Sequence, residues 1–222
     1  MRRLFLTFFE FCYKVFSSVA LFRHLWKGLK GGSMARENER KFLARLRETP
    51  ANAHWIRQGY IPQVDSSLAI RIREVSLGGE TQYIFTFKAV VPDQPDERVE
   101  IEAPLSLEDA DILWPKATAG LVEKLRKYDG PWDVDQFLVS LGWLALAELE
   151  AKPNWPDISV LPPISAWWEL GPEVTGDMRF TNPALASMTP EENDALRARV
   201  EQMWANWNAV RWHNPSGDPN HP

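Results

Sequence analysis

The stretch Glu37-Asn38-Glu39-Arg40-Lys41 places two acids and a base at every second position of the chain. In a β-strand, side chains at every second position share one face, so these two carboxylates and the ammonium group would lie side by side. Adjacent carboxylates repel each other unless a cation separates them, and their oxygens suit a hard divalent ion such as Mg²⁺ or Mn²⁺. The lysine could hold an anion that the metal also contacts. A solvated strand face shows the same alternation, so the interpretation depends on whether the pattern recurs.

The alternating charges recur in several other predicted strands. Acidic pairs at second positions are Glu37/Glu39, Glu100/Glu102, Asp133/Asp135 and Glu148/Glu150, and the basic members are Lys41, Arg71/Arg73, Lys88 and Lys124/Arg126. The opposite face of these strands is mainly apolar, which for any single strand is typical of a sheet with its charges in water. For the whole set, like-charged neighbours are costly unless other strands or ligands neutralise them. A closed antiparallel barrel with this face inward would form a tunnel whose bases could bind a polyanion with several phosphates.

Composition sets the class of protein. The 222 residues, 45% hydrophobic and 25% charged, are ordinary for a soluble globular protein of one moderate domain or two small ones. Residues 1–33 hold six of the 25 Lys/Arg and one of the 30 acids, so the remainder, with 19 basic and 29 acidic residues, is strongly acidic. An acidic body argues against nucleic-acid binding. The single cysteine, Cys12, excludes an internal disulfide and leaves the body without a Cys/His zinc site.

The first 33 residues form an N-terminal extension with three possible interpretations. An apolar run over 4–22 follows two arginines and resembles a signal sequence or membrane anchor, but Glu10 and Lys14 interrupt it. The codons for Lys-Gly-Gly just before Met34 can spell a ribosome-binding site, in which case Met34 is the true start and the extension is an untranslated leader. The third interpretation is a removable or disordered tail. Contact with a membrane is expected only if this extension is present in the cell.

The remaining pattern predicts a sheet followed by helices. Eight strands are predicted, at 37–42, 55–61, 68–75, 83–88, 98–103, 121–127, 131–137 and 144–150. Ser106 is a predicted N-cap for a helix that ends before Pro115. Helical pieces are expected near Ser165–Glu169 and Asn182–Ala186, and Thr189-Pro190 should begin a longer helix that runs to about Asn208. The tail from residue 214 is predicted to be disordered.

These residues resemble the CYTH superfamily, the triphosphate tunnel metalloenzymes, and in particular its short bacterial members. The opening stretch matches the ExExK signature of that family. Further matches follow in order over roughly residues 34–188: Arg57-Gln58-Gly59-Tyr60, Arg71-x-Arg73, Thr86-x-Lys88, Glu100-x-Glu102, Leu113-Trp114-Pro115, Val122-Glu123-Lys124-x-Arg126, Asp133-x-Asp135-x-Phe137, Ala147-Glu148-x-Glu150 and Val174-Thr175-x-Asp177-x-Arg179-Phe180-x-Asn182.

The resemblance implies an α+β fold: an eight-stranded antiparallel β-barrel tunnel over 34–188, with helices packed outside, and a C-terminal helical plug and extension over 189–222. It implies hydrolysis of inorganic triphosphate to pyrophosphate and phosphate with Mg²⁺ or Mn²⁺. Carried over by position, the catalytic residues would be Glu37, Glu39, Lys41, Glu148 and Glu150. The substrate-binding residues would be Lys41, Arg57, Arg71, Arg73, Lys88, Lys124, Arg126 and Arg179, the last near a plug of one tunnel mouth. The metal ligands would be Glu37, Glu39, Glu100, Glu102, Asp135, Glu148 and Glu150.

Other functions remain open on the same residues. Hydrolysis of nucleoside or thiamine triphosphate, or cyclisation of ATP by a class IV-type adenylate cyclase, would keep the fold and change the substrate. A non-catalytic polyphosphate-binding module would need the bases but has little use for four acidic pairs. The substrate class and the lack of disulfides predict a cytoplasmic protein. The helix from Thr189 could dock on the body or on a second subunit of a homodimer.

Overall fold

A computed structural model describes residues 39–63, 68–91, 94–151 and 155–213, with the backbone alone for 90–91, 94–98 and 211–213. The described strands are β1 Glu39–Leu46, β2 His54–Ile61, β3 Leu68–Leu77, β4 Glu80–Val91, β5 Gln94–Leu105, β6 Leu121–Asp129, β7 Trp132–Phe137, β8 Ala145–Glu150 and β9 Trp168–Glu173. The described α-helices are α1 Leu107–Leu113, α2 Asn182–Ala186 and α3 Pro190–His213. Short 3-10 turns occupy Trp114–Lys116, Val139–Leu141 and Met178–Phe180. The predicted N-terminal extension, Glu37 and the tail from residue 214 lie outside the described residues.

The strands form one antiparallel sheet in the order β5-β4-β3-β2-β6-β7-β8-β1-β9. The predicted α+β class is confirmed, whereas the predicted number of eight strands is wrong because β9 is added beside β1. Within the described residues, no pairing joins the two edge strands β5 and β9, so the sheet is not closed by hydrogen bonds into the predicted barrel.

The ninth strand also corrects the helix expected near Ser165–Glu169. Trp168 pairs with Leu46 of β1, lies only 1% exposed and packs edge-to-face on Trp132 with ring centroids 5.5 Å apart. Asp129 accepts hydrogen bonds from the Ser165 amide at 2.8 Å and from the Trp168 indole at 2.6 Å. These contacts come from residues distant in sequence, so local helix propensity does not decide the structure here.

Alternation along the strands separates an apolar face from a charged one. Two clusters cover the outer, apolar face: Phe42, Ala44, Trp132, Val134, Ala145, Ala147, Leu149, Ile158 and Trp168 in one, and Ile61, Ile70, Ile72, Phe85, Phe87 and Leu113 in the other. Burial of each large side chain contributes roughly 1.5–3 kcal/mol to folding. The charged residues therefore lie together on the opposite face, which carries the candidate site.

The two predicted helix starts are confirmed by their caps. Ser106 Oγ accepts from the Asp109 amide at 3.1 Å, and Thr189 Oγ1 accepts from the Glu192 amide at 3.2 Å. Glu192 in turn accepts from the Thr189 amide at 2.8 Å, which completes a capping box. The helix that follows Thr189, α3, runs five residues beyond the predicted end, to His213. In the described part of the chain, no helix has both the length and the apolar character needed to cross a membrane.

Helices α2 and α3 cover one end of the charged face. Apolar residues at inward positions of β1, β6, β7 and β8 pack there against residues of the 3-10 turn at Met178–Phe180 and of both helices. The strand residues are Leu43, Val122, Phe137 and Leu146, and the turn and helix residues are Phe180, Leu185, Leu196, Val200 and Trp204. Gly120, with φ +129°, permits the close approach, because a Cβ at this position would lie 2.3 Å from the Ala186 carbonyl oxygen. This end of the sheet is therefore apolar and covered, whereas the charges lie farther along the same face.

Candidate active site

A cavity of about 270 Å³ lies on the charged face of the sheet. Strands β1 to β8 each contribute at least one side chain to its wall, and β9 contributes none of the described ones. The lining residues are Glu39, Lys41, Tyr60, Ala69, Arg71, Arg73, Thr86, Lys88, Glu100, Glu102, Arg126, Asp133, Glu148, Glu150, Thr181, Asn182 and Pro183. Five cations and six carboxylates thus surround one small volume.

One side of the cavity is bounded by a tightly paired group of charges on β1, β6, β7 and β8, only some of which line it, and we call this group the β6–β1 network. Its members are Lys41, Lys124, Arg126, Asp133, Asp135 and Glu148. Arg126 donates to Asp133 at 2.7 Å, to Asp135 at 2.6 Å and to Glu148 at 3.0 Å. Lys41 lies 3.1 Å from Glu148. The side chains of this network are only 1–12% exposed.

The other part of the wall is a looser group on β3, β4 and β5, which we call the β3–β5 network. Its members are Arg71, Arg73, Lys88, Glu100 and Glu102. The ion pairs are 3.2 Å for Arg71 with Glu102, 3.7 Å for Arg71 with Glu100, 4.0 Å for Arg73 with Glu102 and 3.2 Å for Lys88 with Glu100. Thr86 donates to Glu102 at 3.0 Å and accepts from Arg71 at 3.1 Å.

Charge pairing in the β6–β1 network sets the ionisation of its members. Burial opposes protonation of Lys41, but the carboxylates of Glu148 and Glu39 outweigh it and raise the pKa of that lysine. Burial opposes ionisation of Glu148, but Lys41 and Arg126 hold its pKa well below its ordinary value. Both groups therefore remain charged at neutral pH.

Burial disfavours the charge of two cations, one in the cavity wall and one beside it. Burial lowers the pKa of Arg73 to about 10, and repulsion from Arg71 and Arg126 adds to this effect. The Nε atom of Arg73 is buried without a hydrogen-bond partner among the described residues. Complete burial likewise lowers the pKa of Lys124 to about 8 despite its contact with Asp135. Arg73 lines the cavity, so an anion bound there would stabilise its charge, whereas Lys124 depends on Asp135.

The carboxylates suit a hard cation, although they do not form a closed metal cage. Within the described residues, no three acids or histidines lie close enough together to form a metal-binding group. Glu39 and Glu150 are register partners on β1 and β8, and both line the cavity beside Glu148. Mg²⁺ is commonly held by one or two carboxylates, with water and phosphate oxygens as the other ligands. A pair of carboxylates next to an anion site therefore fits this ion, while the predicted ligand Glu37 lies outside the described residues.

Most of the predicted site residues lie together, but four do not line the cavity. Lys124 and Asp135 face inward and are 1% exposed, with Lys124 Nζ 2.5 Å from Asp135 Oδ2 and 3.3 Å from Asn182 Oδ1. Asp135 is engaged by two cations beneath the cavity, which does not fit the predicted role of a metal ligand. Arg179 is paired with Asp177 on the surface, so its neighbours Thr181 to Pro183 line the cavity in its place.

Arg57 lies apart from the other residues of the predicted phosphate-binding set. Its guanidinium lies over the ring of Trp114, 4.5 Å from the centroid, and 3.9 Å from Glu74. Both Ile56 and Tyr60 on the same strand are buried, while Ile61 packs in an outer cluster. Alternation therefore points Arg57 to the outer face, away from the cavity.

Several lining residues were not among the predicted site residues: Tyr60, Ala69, Thr86, Asp133, Thr181, Asn182 and Pro183. Position could have identified some of them, since Thr86 is two residues before Lys88 and Asp133 two residues before Asp135. Residues of the α2 start carry no such signal, because their place depends on how the C-terminal segment packs on β6. Whether Tyr60 faces the cavity depends on which face of β2 its alternate residues occupy, and the sequence does not determine this.

Comparison with solved structures gives matches to the inorganic triphosphatase NE1496, at 32% identity over 72% of this chain and 99% of that chain, with a TM-score of 0.47. Another structure of the hypothetical protein NE1496 matches at 32% identity over 69% and 99%, with a TM-score of 0.47. The PH1819 protein from Pyrococcus horikoshii OT3 matches at 16% identity over 77% and 89%, with a TM-score of 0.38. No family model matches the chain, and a search of curated proteins gives no match.

Proposed function

This chain belongs to the CYTH superfamily of triphosphate tunnel metalloenzymes, and we propose that it hydrolyses inorganic triphosphate to pyrophosphate and phosphate in a metal-dependent reaction. The 32% identity with an inorganic triphosphatase, over 99% of that protein, supports the assignment. The observation that carries it is the cavity wall, in which five cations and six carboxylates surround about 270 Å³. Cations suit the phosphates and carboxylates suit the metal, so one cavity can hold both.

The proposal includes a tunnel. Eight strands contribute to one wall, and they include β5 at one edge of the sheet and β1 next to the other edge. In a flat sheet, side chains from strands near opposite edges would be too far apart to line so small a cavity. We therefore propose that the sheet curls around it. Strand β9 then lies outside this curl, beside β1.

In the proposed mechanism, cations of the wall bind and orient the triphosphate. Arg71, Arg73 and Lys88 hold phosphates on the side of the β3–β5 network, where the existing ion pairs are 3.2–4.0 Å long. Lys41 and Arg126, next to Glu148 on the opposite side, stabilise negative charge that develops on the transferred group and the leaving group. The substrate thereby spans the cavity between the two networks.

The carboxylates would hold the metal at the β1–β8 side of the cavity. Glu39 and Glu150 are the proposed ligands, together with Glu37 in the residue pattern of the family. Mg²⁺ or Mn²⁺ bound there would act as a Lewis acid on a phosphoryl oxygen and on the attacking water. Glu148 is paired with Lys41 and Arg126 without substrate, and it becomes available to a cation when phosphate oxygens take over these two bases.

This exchange of partners predicts mutual dependence of metal and substrate. Each wall cation that binds phosphate leaves a carboxylate without its counter-charge, which a bound Mg²⁺ or Mn²⁺ would supply. An unpaired buried charge is costly, so the metal and the triphosphate should bind more tightly together than either does alone. Among the described lining residues, Tyr60 is the only aromatic one, which favours inorganic triphosphate over substrates with a ring to be stacked.

The test is phosphate release by the purified full chain with tripolyphosphate, ATP and thiamine triphosphate, each with Mg²⁺, Mn²⁺ or EDTA. We expect rapid release from tripolyphosphate that needs the metal and is abolished by EDTA. Preferred turnover of ATP or thiamine triphosphate would replace the proposed substrate. Tight binding of tripolyphosphate without turnover under any condition would make the protein a polyphosphate-binding module instead.

A further inference from the structure

A side chain from outside the cavity holds the beginning of strand β1. Strand β9, which pairs with β1, ends at Glu173, and the chain then turns at Gly176, where φ is +77°. Lys41 lies one position beyond the last residue of β1 that pairs with β9. Its carbonyl oxygen accepts a hydrogen bond from the Val174 amide at 2.8 Å, and its own N–H donates to the Thr175 hydroxyl at 2.9 Å. A side-chain oxygen thus takes the place of a backbone carbonyl of the neighbouring strand.

A second contact fixes the Thr175 hydroxyl. A hydroxyl has a single hydrogen to donate. Here the Glu173 Oε1 atom lies 2.6 Å from the hydroxyl oxygen, whereas the Lys41 carbonyl oxygen lies 3.4 Å away, so the hydrogen goes to Glu173. Glu173 is itself held by two hydrogen bonds from Arg40, at 3.0 Å and 2.7 Å. The contact with Thr175 needs only an acceptor oxygen at residue 173, so the charge of that residue plays no part in it.

The backbone contact at Lys41 bears on where its side chain points. Both backbone polar groups of Lys41 point toward the Thr175 side, so Lys41 and its register partner Glu148 form the non-hydrogen-bonded type of antiparallel pair. Side chains lie closer together in this type of pair than in the hydrogen-bonded type. The Lys41 ammonium lies 3.1 Å from Glu148 and 3.4 Å from Glu39 in the cavity wall. The direction of this ammonium therefore depends on the backbone that Thr175 holds.

The fold alone does not require a hydroxyl at this position. Thr175 is exposed, so a water molecule could accept a hydrogen bond from the Lys41 amide in its place. Water would satisfy the amide, but it would not be attached to the chain next to Glu173, and the Lys41 backbone would lose a fixed support. A charged group stabilises a transition state most when it is already in position before the reaction. The hydroxyl is thus better explained by the position of Lys41 than by stability.

We propose that Thr175 is a positioning residue, which holds the Lys41 backbone so that the ammonium group is aimed at the triphosphate in the transition state. The inference rests on the proposed function, since it deepens the role of Lys41 in that reaction. Thr175 is not among the residues that line the cavity, and the β3–β5 network lies on other strands. Loss of the hydroxyl should therefore lower kcat more than it changes KM.

Steady-state hydrolysis of tripolyphosphate with Mg²⁺ would be compared for the full chain and its Thr175→Val, Thr175→Ser and Thr81→Val variants. Thr175→Val removes the hydroxyl at nearly constant shape and should lower kcat about tenfold, with KM changed by less than about twofold. Thr175→Ser keeps the hydroxyl and should retain most of kcat. Thr81 lies on the exposed hairpin between β3 and β4, where its hydroxyl is 2.8 Å from that of Ser76, so Thr81→Val is a matched control that should change neither constant.

Hydrogen exchange of the Lys41 amide tests the contact without any turnover. Exchange, followed by mass spectrometry of peptides that contain Lys41, should be faster in Thr175→Val than in the unaltered chain, and Thr175→Ser should restore the slower rate. The thermal midpoint of each variant checks that it is folded. Thr175→Ala replaces Thr175→Val in all comparisons if the valine variant does not fold.

Unchanged kcat in a folded Thr175→Val variant of an active enzyme would overturn the inference, as would unchanged exchange of the Lys41 amide. An equal loss of kcat in Thr175→Ser or Thr81→Val would also overturn it, because the hydroxyl at residue 175 would then not be the cause. A rise in KM with constant kcat would assign Thr175 to substrate binding instead. Absence of phosphate release by the unaltered chain would contradict the proposed function, while the exchange measurement would still test the contact.

Discussion

The two charged networks of the cavity wall differ in how tightly their partners are held. In the β6–β1 network, ion pairs are 2.5–3.1 Å long and the side chains are 1–12% exposed. In the β3–β5 network, they are 3.2–4.0 Å long and the side chains are 8–43% exposed. Buried charges cost so much to leave unpaired that Lys124 and Asp135, the most buried pair of the tight network, stabilise the fold, whereas the looser pairs can exchange a carboxylate for a phosphate. Lys41, Arg126 and Glu148 lie where the tight network lines the cavity, so they can serve both the fold and the substrate.

The difference between the two networks is tested most directly at Asp135, whose side chain is 1% exposed. Asp135→Ala leaves Lys124 and Arg126 without their shortest contacts, at 2.5 Å and 2.6 Å. Removal of one partner from a buried pair should lower the free energy of unfolding by about 3–5 kcal/mol, measured by urea denaturation. Glu102→Ala in the looser network, where the side chain is 43% exposed, should cost less than about 1 kcal/mol. Equal losses in the two variants would contradict the distinction between the networks.

Glu39 should separate catalysis from stability, since it is the carboxylate at the edge of the tight network that is 40% exposed. Glu39→Gln keeps the shape and removes the charge proposed to hold the metal. Turnover of tripolyphosphate should fall about a hundredfold, equivalent to ~2.7 kcal/mol, with little change in the unfolding midpoint. Saturation with Mg²⁺ should also need a higher concentration. Glu173→Gln removes a carboxylate from the outer face as a matched control, and near-full activity of Glu39→Gln would remove that residue from the metal site.

Acid should destabilise the tight network through Glu148. Its pKa is held below the ordinary value of 4.5 in the folded protein, so the unfolded chain binds more protons in acid. The stabilisation from this group is complete above pH 4.5 and is lost as the pH falls through the folded-state pKa. Urea denaturation at pH 7 and below pH 4.5 should therefore show a weaker pH dependence for Glu148→Gln than for the unaltered protein. Glu173→Gln is the comparison variant, because the pKa of Glu173 is also lowered, but by its partner Arg40 outside the cavity. If the free energy of unfolding of Glu148→Gln depends on pH as strongly as that of the unaltered protein, the assignment is contradicted.

Arg73 tests the other side of the comparison. Its shortest ion pair is 4.0 Å long, so the fold gains little from the charge while a bound phosphate would gain much. Arg73→Gln should raise the KM for tripolyphosphate about tenfold and leave the stability of the protein equal or higher, because burial already disfavours this cation. A lower unfolding free energy with unchanged KM would place Arg73 with the structural charges.

Sequence pattern predicted the part of this architecture that is encoded locally. The period of two identified eight of the strands and their charged face, because alternation needs only the neighbouring residues. It could not predict β9, whose Trp168 is fixed by pairing with Leu46 and by contacts to Asp129 and Trp132. Likewise, it could not distinguish Lys41 and Lys88, which line the cavity, from Lys124, which lies beneath α2, since coverage by a distant segment decides this.

The phase of β2 shows most clearly where the pattern fails. The stretch Trp55-Ile56-Arg57-Gln58-Gly59-Tyr60-Ile61 has apolar residues at both odd and even positions, so either face could be the buried one. A one-residue change in phase moves every side chain to the other face. Packing resolves the choice at Gly59, where a Cβ would lie 2.7 Å from the Ala117 Cβ and 2.9 Å from Trp114. The turn at Trp114–Lys116 therefore fits only against the outer face, and the polar pair Gln58 and Tyr60 faces inward.

The smallest expected effect is for Arg57, which that phase places outside the cavity. Arg57→Ala removes a stacking contact on Trp114 and a 3.9 Å pair with Glu74, and both are partly exposed. The free energy of unfolding should fall by only about 0.5–1 kcal/mol, and the KM for tripolyphosphate should not change. Because Arg73→Gln removes an equal charge from the strand next to it, the two variants differ mainly in the face from which the charge is lost. A matching rise in KM for Arg57→Ala would mean that charge near the cavity is sufficient, and that the alternation of inner and outer positions does not select the residues that bind substrate.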